Sequence, residues 1–140
     1  MSGPDLLEFR SMKILGIDYG RKKIGVAIGD MVTGLVEPIG TAGNFKFLIL
    51  NFKSIFTDPT IKKIVVGIPD GKMDVEIKEF GARLKKETGL PVEFFDETLT
   101  TQEAQRLLII GGGKRKLRKK KEDAMAAAVM LQYYLETHPC

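Results

Sequence analysis

The segment KILGIDYGRKKIGVAIGD, Lys13 to Asp30, restricts the fold of this chain more than any other. Its first residues alternate between two faces, as a β-strand does: one face carries Ile14, Gly16 and Asp18, and the other carries Leu15, Ile17 and Tyr19. GRKK is a short turn and IGVAIGD is a second strand, so the segment predicts a β-hairpin. Asp18 places a carboxylate within an apolar strand, where an unpaired buried charge is costly. We therefore expect something to compensate Asp18.

Three further runs predict the rest of a sheet. GLVEPIGT predicts a third strand, and Pro38 favours an edge position because proline donates no hydrogen bond to a neighbouring strand. IKKIVVGIP contains an apolar run without alternation, which is typical of a central parallel strand. PVEFFDE predicts the fifth strand.

Helical patterns fill the intervals between these strands. NFKFLILNFKSIF is apolar and has the length of a helix. Asp74 is a good N-cap for a second helix that Gly89 ends. Thr100 and Glu103 form a capping-box pattern that opens a third helix. GGGKRKLRKKK is expected to break that helix, and a last amphipathic helix runs from about Glu122.

The order of these elements predicts an α/β fold. Three hairpin-linked antiparallel strands followed by parallel βαβ crossovers imply a five-stranded mixed sheet flanked by helices. We expect an N-terminal extension at residues 1–11, a single domain at 12–137 and a tail at 138–140, with His138 and Cys140 in a frayed terminus.

Composition limits the classes of protein that fit. The chain has 140 residues, enough for one domain with a sizeable core. Its net charge of +4 favours an anionic partner such as nucleic acid. The single cysteine excludes a disulfide within the chain and suits a reducing cytoplasm. No apolar run is long enough to span a membrane.

Carboxylates fall at the ends of three predicted elements. They are Asp18 in the first strand, Asp96 and Glu97 at the end of the fifth, and Asp123 at the start of the last helix. Each alone suits an ordinary role, as a turn acid or as an acid near a helix N-terminus. Clustered carboxylates, however, repel one another unless a cation lies between them, and hard divalent ions prefer oxygen ligands. Together they predict a magnesium site, to which either Asp96 or Glu97 belongs.

Two basic segments lie close to these acids in the sequence. KRKLRKKK has seven cations in eight residues and is expected to form a loop: Lys114, Arg115, Lys116, Arg118, Lys119, Lys120 and Lys121. The first turn adds Arg21, Lys22 and Lys23. Such segments either lie solvated at the surface or contact phosphates with little regard to base sequence. We expect the second role for both.

Four blocks of this sequence resemble the YqgF/RuvX family of RuvC-like proteins, known as Holliday junction resolvases and as pre-16S rRNA nucleases. The blocks are ILGIDYGRKKIGVAIGD, IVVGIP, FFDETLTTQEA and EDAMAAAVMLQYYL, in that order, and the resemblance runs from about Met12 to Glu136. It implies a ribonuclease H-like fold. It also implies that Asp18, Glu97 and Asp123 are the catalytic and metal-binding acids, which selects Glu97 over Asp96. The implied cofactor is Mg²⁺ or Mn²⁺, as two ions with substrate bound.

Two positions depart from the family pattern. Thr98 stands where the family usually has an arginine, and Lys72 stands where it usually has an asparagine. Lys72 is therefore a further candidate for a phosphate contact, since a cation near the acids is missing at Thr98.

The sequence thus predicts a cytoplasmic, metal-dependent nuclease that processes the 5′ end of pre-16S rRNA in ribosome biogenesis. Cleavage of four-way DNA junctions in recombination and repair is the alternative within this class. An actin-like or sugar-kinase-like ATPase lobe fits the Asp18-x-Gly20 pattern after a strand, although such enzymes need two lobes. A non-catalytic nucleic-acid-binding module is the remaining alternative. We expect a nucleic-acid partner, no membrane, and a monomer or homodimer.

Overall fold

A computed structural model of the chain describes residues 12–20, 22–68, 74–96 and 115–138, and of residues 115–123 it describes the backbone alone. The elements, in chain order, are β1 (Lys13–Tyr19), β2 (Ile24–Asp30), β3 (Val36–Ala42), α1 (Phe45–Asn51), α2 (Lys53–Phe56), β4 (Ile61–Ile68), α3 (Val75–Thr88), β5 (Val92–Asp96) and α4 (Arg115–Thr137).

The strands form one mixed sheet in the order β3-β2-β1-β4-β5. β2 pairs antiparallel with β1 and β3, whereas β4 pairs parallel with β1 and β5. This confirms the predicted five-stranded mixed sheet. β3, which contains Pro38, lies at one edge as predicted, and the non-alternating β4 lies between two parallel partners with Ile64, Val65 and Val66 fully buried.

Helices cover both faces of the sheet. On one face Leu15, Ile17 and Tyr19 of β1 pack in a cluster with residues of α1, α2 and α3. On the other face Ile14 packs with Ala127, Met130 and Leu131 of α4. The alternation read from the β1 sequence therefore separates two cores, one on each side of the sheet.

Glycines let α4 lie close to the sheet. A Cβ added at Gly16 would lie 3.0 Å from the Cβ of Leu131, and one added at Gly29 would lie 3.1 Å from Leu131 Cδ2. Real Cβ atoms seldom approach neighbours so closely. The helix adds small residues of its own, because Ala127 and Ala128 are buried in the same contact. Without side chains at these points, α4 reaches the backbone of β1 and β2.

Sequence correctly predicts both ends of α3. Asp74 caps its start, where the carboxylate oxygen Oδ1 accepts a hydrogen bond of 3.0 Å from the Ile77 amide. Gly89 ends it in the left-handed conformation, with φ at 73°. That conformation favours glycine because a Cβ would be strained there.

The start of α4 corrects the sequence prediction. We expected the basic segment to be a loop and the helix to begin near Glu122, but the helix begins at Arg115 and includes Arg118 and Lys119 through Lys121. Lysine and arginine are good helix formers, so the segment extends the amphipathic helix that follows it. Repulsion between like charges four residues apart costs only a few tenths of a kcal/mol per pair.

Two smaller expectations also need correction. The single predicted helix at 44–56 is divided into α1 and α2, with Phe52 between them. His138 is not frayed: its ring stacks on that of Tyr134 with centroids 4.2 Å apart, and it meets the edge of Phe95. The capping-box helix predicted from Thr100 lies outside the described residues, as do the N-terminal extension and Cys140. Among the helices that the structure describes, none is long and apolar enough to cross a membrane.

Candidate active site at the carboxyl edge of the sheet

Asp18 is half-buried near the carboxyl end of β1, on the sheet face that α4 covers. The face follows from the alternation of β1, because Ile14 and Gly16 share it with Asp18 and both contact α4. The neighbouring strands place glycines beside it: Gly25 of β2 on one side and Gly67 of β4 on the other. Residues paired across strands share a face, so the two positions directly paired with Asp18 add no side chain beside its carboxylate. The sheet thus leaves room for ligands at this acid.

The direction of α4 brings its N-terminal half toward Asp18. Leu131 lies at Gly16 and Gly29, and Leu135, one turn later, lies at Gly29. Gly29 pairs with Ile14 at the start of β1, so the helix runs from the carboxyl edge toward the amino edge. Asp123 lies one turn before the buried Ala127, eight residues into α4 rather than at its start. The side chain of Asp123 lies outside the described part of the chain.

The fifth strand ends at the same edge of the sheet. Phe95 pairs with Gly67, which in turn pairs with Asp18, so the three positions form one row. Phe95 packs against α4, whereas Phe94 packs on the opposite face. By the same alternation Asp96 lies on the face opposite to Asp18. Glu97, which the family resemblance selects, lies outside the described residues.

The basic turn after β1 lies beside Asp18. The amide of Gly20 donates a hydrogen bond of 3.1 Å to the carbonyl of Lys23, and a Cβ at Gly20 would lie only 2.5 Å from that oxygen. Glycine is therefore required to close the turn. Lys22 and Lys23 are exposed at this edge. Of the other predicted phosphate contacts, Arg21, Lys72 and Lys114 lie outside the described residues, and Arg115 through Lys121 are placed by backbone only.

A metal site at Asp18 requires further acidic ligands from other parts of the chain. Among the residues whose side chains are described, no three histidine, cysteine or acidic side chains form a group that could hold a metal ion. The position of Asp18 fits such a site, because a carboxylate with a glycine on each side can accept ligands from solvent. Oxygen donors of this kind suit Mg²⁺ or Mn²⁺.

The opposite face of the same edge contains a cleft that sequence reasoning missed. It has a volume of about 460 Å³, and its lining includes Tyr19, Phe45, Phe80, Glu76, Glu79 and Arg83. The Tyr19 hydroxyl donates a hydrogen bond to Oε1 of Glu76. This bond, together with burial, raises the pKa of Tyr19 to about 12. No sequence motif marks the cleft, because its lining residues are spread over β1, α1 and α3.

Comparison with curated proteins gives relatives with a consistent name. A protein of Caldanaerobacter subterraneus subsp. tengcongensis named "Putative pre-16S rRNA nuclease" is 36% identical over 103 residues, covering 68% of this chain and 74% of its own length. One of Aeromonas hydrophila with the same name is 41% identical over 106 residues, with coverage of 68% and 74%.

Solved structures share the fold at low sequence identity. RuvC of T. thermophilus in complex with a Holliday junction substrate matches with a TM-score of 0.53 and 13% identity, over 90% of this chain and 95% of RuvC. The Fowlpox virus resolvase with its substrate Holliday junction DNA matches with a TM-score of 0.57 and 15% identity, over 90% and 98%. The ribonuclease H-like fold is thereby confirmed.

The family assignment rests on most of the chain. The family model described as RuvX, Holliday junction resolvase, matches residues 12–137, and these include the sheet, α4 and the position of Asp18. The chain therefore belongs to the RuvX family.

Proposed function

We propose that this chain is a cytoplasmic, metal-dependent nuclease that hydrolyses phosphodiester bonds in structured RNA, and that its substrate is the 5′ end of precursor 16S rRNA. The observation that carries the proposal is Asp18, half-buried between Gly25 and Gly67 on the face under α4. A carboxylate in that position, with a glycine at each directly paired position, has room for a metal ligand.

Asp18, Glu97 and Asp123 are the acids proposed to hold the metal ions. Asp123 belongs to the helix whose N-terminal half approaches Asp18. Asp96 faces away from α4, the helix on which the neighbouring Phe95 packs. This orientation counts against Asp96 as a metal ligand and so supports the choice of Glu97 that the family resemblance implies.

Bound divalent ions, as a pair with substrate present, would supply an activated water and would stabilise the leaving oxygen of the phosphodiester. The chain's own residues have the remaining tasks. The three carboxylates hold the ions in place, and the Gly20 turn presents Lys22 and Lys23 to the phosphate backbone beside Asp18. Arg21, Lys72 and the basic start of α4 are proposed to extend this contact along the strand.

The names of the curated relatives favour precursor rRNA as the substrate. The description of the family and the complexes of the two solved resolvases favour a four-way DNA junction instead. Cleavage of such junctions is therefore the second candidate function, with the same acids in the same roles.

The test compares cleavage of precursor 16S rRNA and of a four-way DNA junction by the full chain in Mg²⁺. We expect specific cleavage of the precursor, and we expect Asp18→Asn to abolish it while leaving RNA binding in Ca²⁺ or EDTA intact. Addition of EDTA to the wild-type chain should stop cleavage reversibly.

Asp30→Asn is the matched control. Asp30 ends β2 at the opposite edge of the sheet, where its carboxylate oxygen accepts the amides of Val32 and Thr33, and an asparagine oxygen can accept them too. Cleavage should therefore survive in Asp30→Asn. Equal cleavage by wild type and Asp18→Asn would disprove the metal site. Cleavage of the junction alone would show that the substrate is a four-way DNA junction and not precursor rRNA.

A further inference from the structure

The cleft behind Asp18 lies where α/β sheets commonly bind ligands. Tyr19, the residue after Asp18, contributes to its wall, as do Gly20 and the start of β2 at Ile24. These residues lie at the carboxyl edge of β1, and β1 is parallel to its neighbour β4. Open sheets of this kind bind ligands in crevices outside the carboxyl ends of their parallel strands. The cleft is separated from Asp18 by the sheet itself, because Asp18 and Tyr19 face opposite sides.

Three aromatic rings line the inner part of the cleft. Tyr19 and Phe80 lie with ring centroids 4.5 Å apart, and the edge of Phe45 meets Phe80 at 6.0 Å. Phe80 is buried, whereas Tyr19 and Phe45 are half-exposed. The guanidinium of Arg83 lies over the Phe45 ring at 4.0 Å. An aromatic wall beside a guanidinium is a surface on which a planar heteroaromatic ring stacks.

The charged side chains at the rim argue against a phosphate as the occupant. Lys46 and Arg83 contribute two positive charges, and Glu76 and Glu79 contribute two negative ones. All four are exposed, so they can meet a ligand at the mouth of the cleft. A bare anion would be repelled by both carboxylates, whereas a nucleobase offers hydrogen-bond donors as well as acceptors.

The carboxylates restrict which base fits. A carboxylate accepts hydrogen bonds only, so it pairs with amino and imino groups, as it does with the N4 amino group of cytosine. Guanine presents two adjacent N–H groups to one carboxylate, whereas uracil offers only the single imino N3–H. The Tyr19 hydroxyl already donates a hydrogen bond to Oε1 of Glu76, which leaves Glu79 as the freer acceptor.

We propose that this cleft binds the base of one unpaired nucleotide of the substrate strand, with guanine preferred over uracil. The base stacks beside Phe45 and Arg83 and donates to Glu79 or Glu76. The backbone of that nucleotide crosses the carboxyl edge toward Asp18, so the cleft would select an unpaired nucleotide near the scissile bond. This assignment deepens the proposed nuclease function and rests on it for the identity of the strand.

The first test is an NMR titration of the full-length chain with 5′-GMP, 5′-UMP and inorganic phosphate, all without divalent metal. We expect GMP to shift the signals of Tyr19, Phe45 and Arg83 in a saturable way, UMP to do so only at about tenfold higher concentration, and phosphate to leave them in place. Arg83→Ala and Glu79→Gln should each weaken GMP binding about tenfold, since each removes a contact to a charged group. Shifts of equal size with phosphate, or none with GMP, would overturn the proposal.

Two controls separate this result from other outcomes. Lys86→Ala and Glu87→Gln change exposed charges of α3 outside the cleft lining, and they should bind GMP as wild type does. GMP binding is also measured in Asp18→Asn. Because this binding does not depend on cleavage, the titration tests the cleft even if the nuclease assignment fails. Precursor RNA should shift the same three signals and displace GMP. If the cleft binds GMP but RNA does not displace it, the cleft is a site for a free nucleotide and the substrate subsite is refuted.

Discussion

At the scale of single residues, glycines rather than charged groups shape the candidate site. Gly25 and Gly67 flank Asp18, Gly20 closes the turn that follows it, and Gly16 admits α4 onto the sheet. Gly16 lies against the Leu131 side chain, Gly20 against the Lys23 carbonyl, and Gly25 and Gly67 beside Asp18. The acids therefore depend on residues that have no side chain, and substitution of these glycines should affect stability and activity together.

Gly16→Ala tests this dependence. The new Cβ would lie 3.0 Å from Leu131 Cβ and 3.1 Å from Leu131 Cδ2, so α4 must move away from β1. Overpacking of this kind typically costs about 1–3 kcal/mol in the free energy of unfolding. We expect that loss in urea denaturation and a lower rate of RNA cleavage, because the helix that carries Asp123 is displaced relative to Asp18.

Gly43→Ala is the matched control for this substitution. A Cβ at Gly43 would meet nothing within 4 Å, so the unfolding free energy should stay within about 0.5 kcal/mol of wild type. A Gly16→Ala protein as stable as Gly43→Ala would show that the contact with α4 is looser than the structure indicates.

At the scale of elements, the sequence predicted the strands better than the boundaries of the last helix. β4 is buried continuously from Ile64 to Ile68, as its unbroken apolar run predicted, and β3 with Pro38 lies at an edge, so strand identity and position were readable from residue type. The dense charges from Arg115 to Lys121 pointed to a loop because like charges repel. The intrinsic helix preference of lysine and arginine, continued into the buried stripe from Ala124, outweighs that repulsion.

Sequence spacing alone had a similar limit at the site. It placed Asp18 on one face of β1 with Ile14 and Gly16, but it left Asp96 and Glu97 as alternatives because it did not say which side of β5 meets α4. The packing of Phe95 against Tyr134, with ring centroids 5.5 Å apart, supplies that information. The cleft at Tyr19 was unreadable for the same reason, since α1 and α3 meet β1 only in three dimensions.

The alternation of β5 leads to a prediction that distinguishes Asp96 from Glu97. Asp96 lies on the face opposite to Asp18, and Glu97 is the acid that the family resemblance selects. Glu97→Gln should therefore abolish metal-dependent cleavage, whereas Asp96→Asn should retain it. Cleavage rates of both variants at several Mg²⁺ concentrations make the comparison. Loss of activity in Asp96→Asn alone, without loss of thermal stability, would show that the metal site lies on the other face.

At the scale of the whole molecule, basic residues are distributed unevenly along the proposed path of the nucleic acid. Lys22 and Lys23 lie at the carboxyl edge with Asp18, and the first turns of α4 carry further cations along a continuous helix. A helical backbone spaces these charges regularly, whereas the loop that we expected from the sequence would have let them separate. Such an arrangement should bind phosphates of the substrate together, with each contact releasing counterions.

The salt dependence of RNA binding therefore tests the role of the basic start of α4. Replacing Lys119, Lys120 and Lys121 by glutamine should lower affinity to the same degree for RNAs of different sequence. It should also reduce the slope of log K against log salt concentration by about 2 to 3, since each lost phosphate contact accounts for about 0.7 to 0.9. The measurement is fluorescence anisotropy over a series of KCl concentrations without divalent metal.

The matched control removes three cations far from the site. Lys62, Lys85 and Lys86 are exposed, and they lie at the start of β4 and in the last turn of α3, at the amino edge of the parallel strands. Replacing them by glutamine changes the net charge equally, so a general effect of charge would appear in both triple variants. We expect the salt slope of this control to match wild type. Equal slopes in all three proteins would mean that the basic start of α4 is solvated and contacts no phosphate.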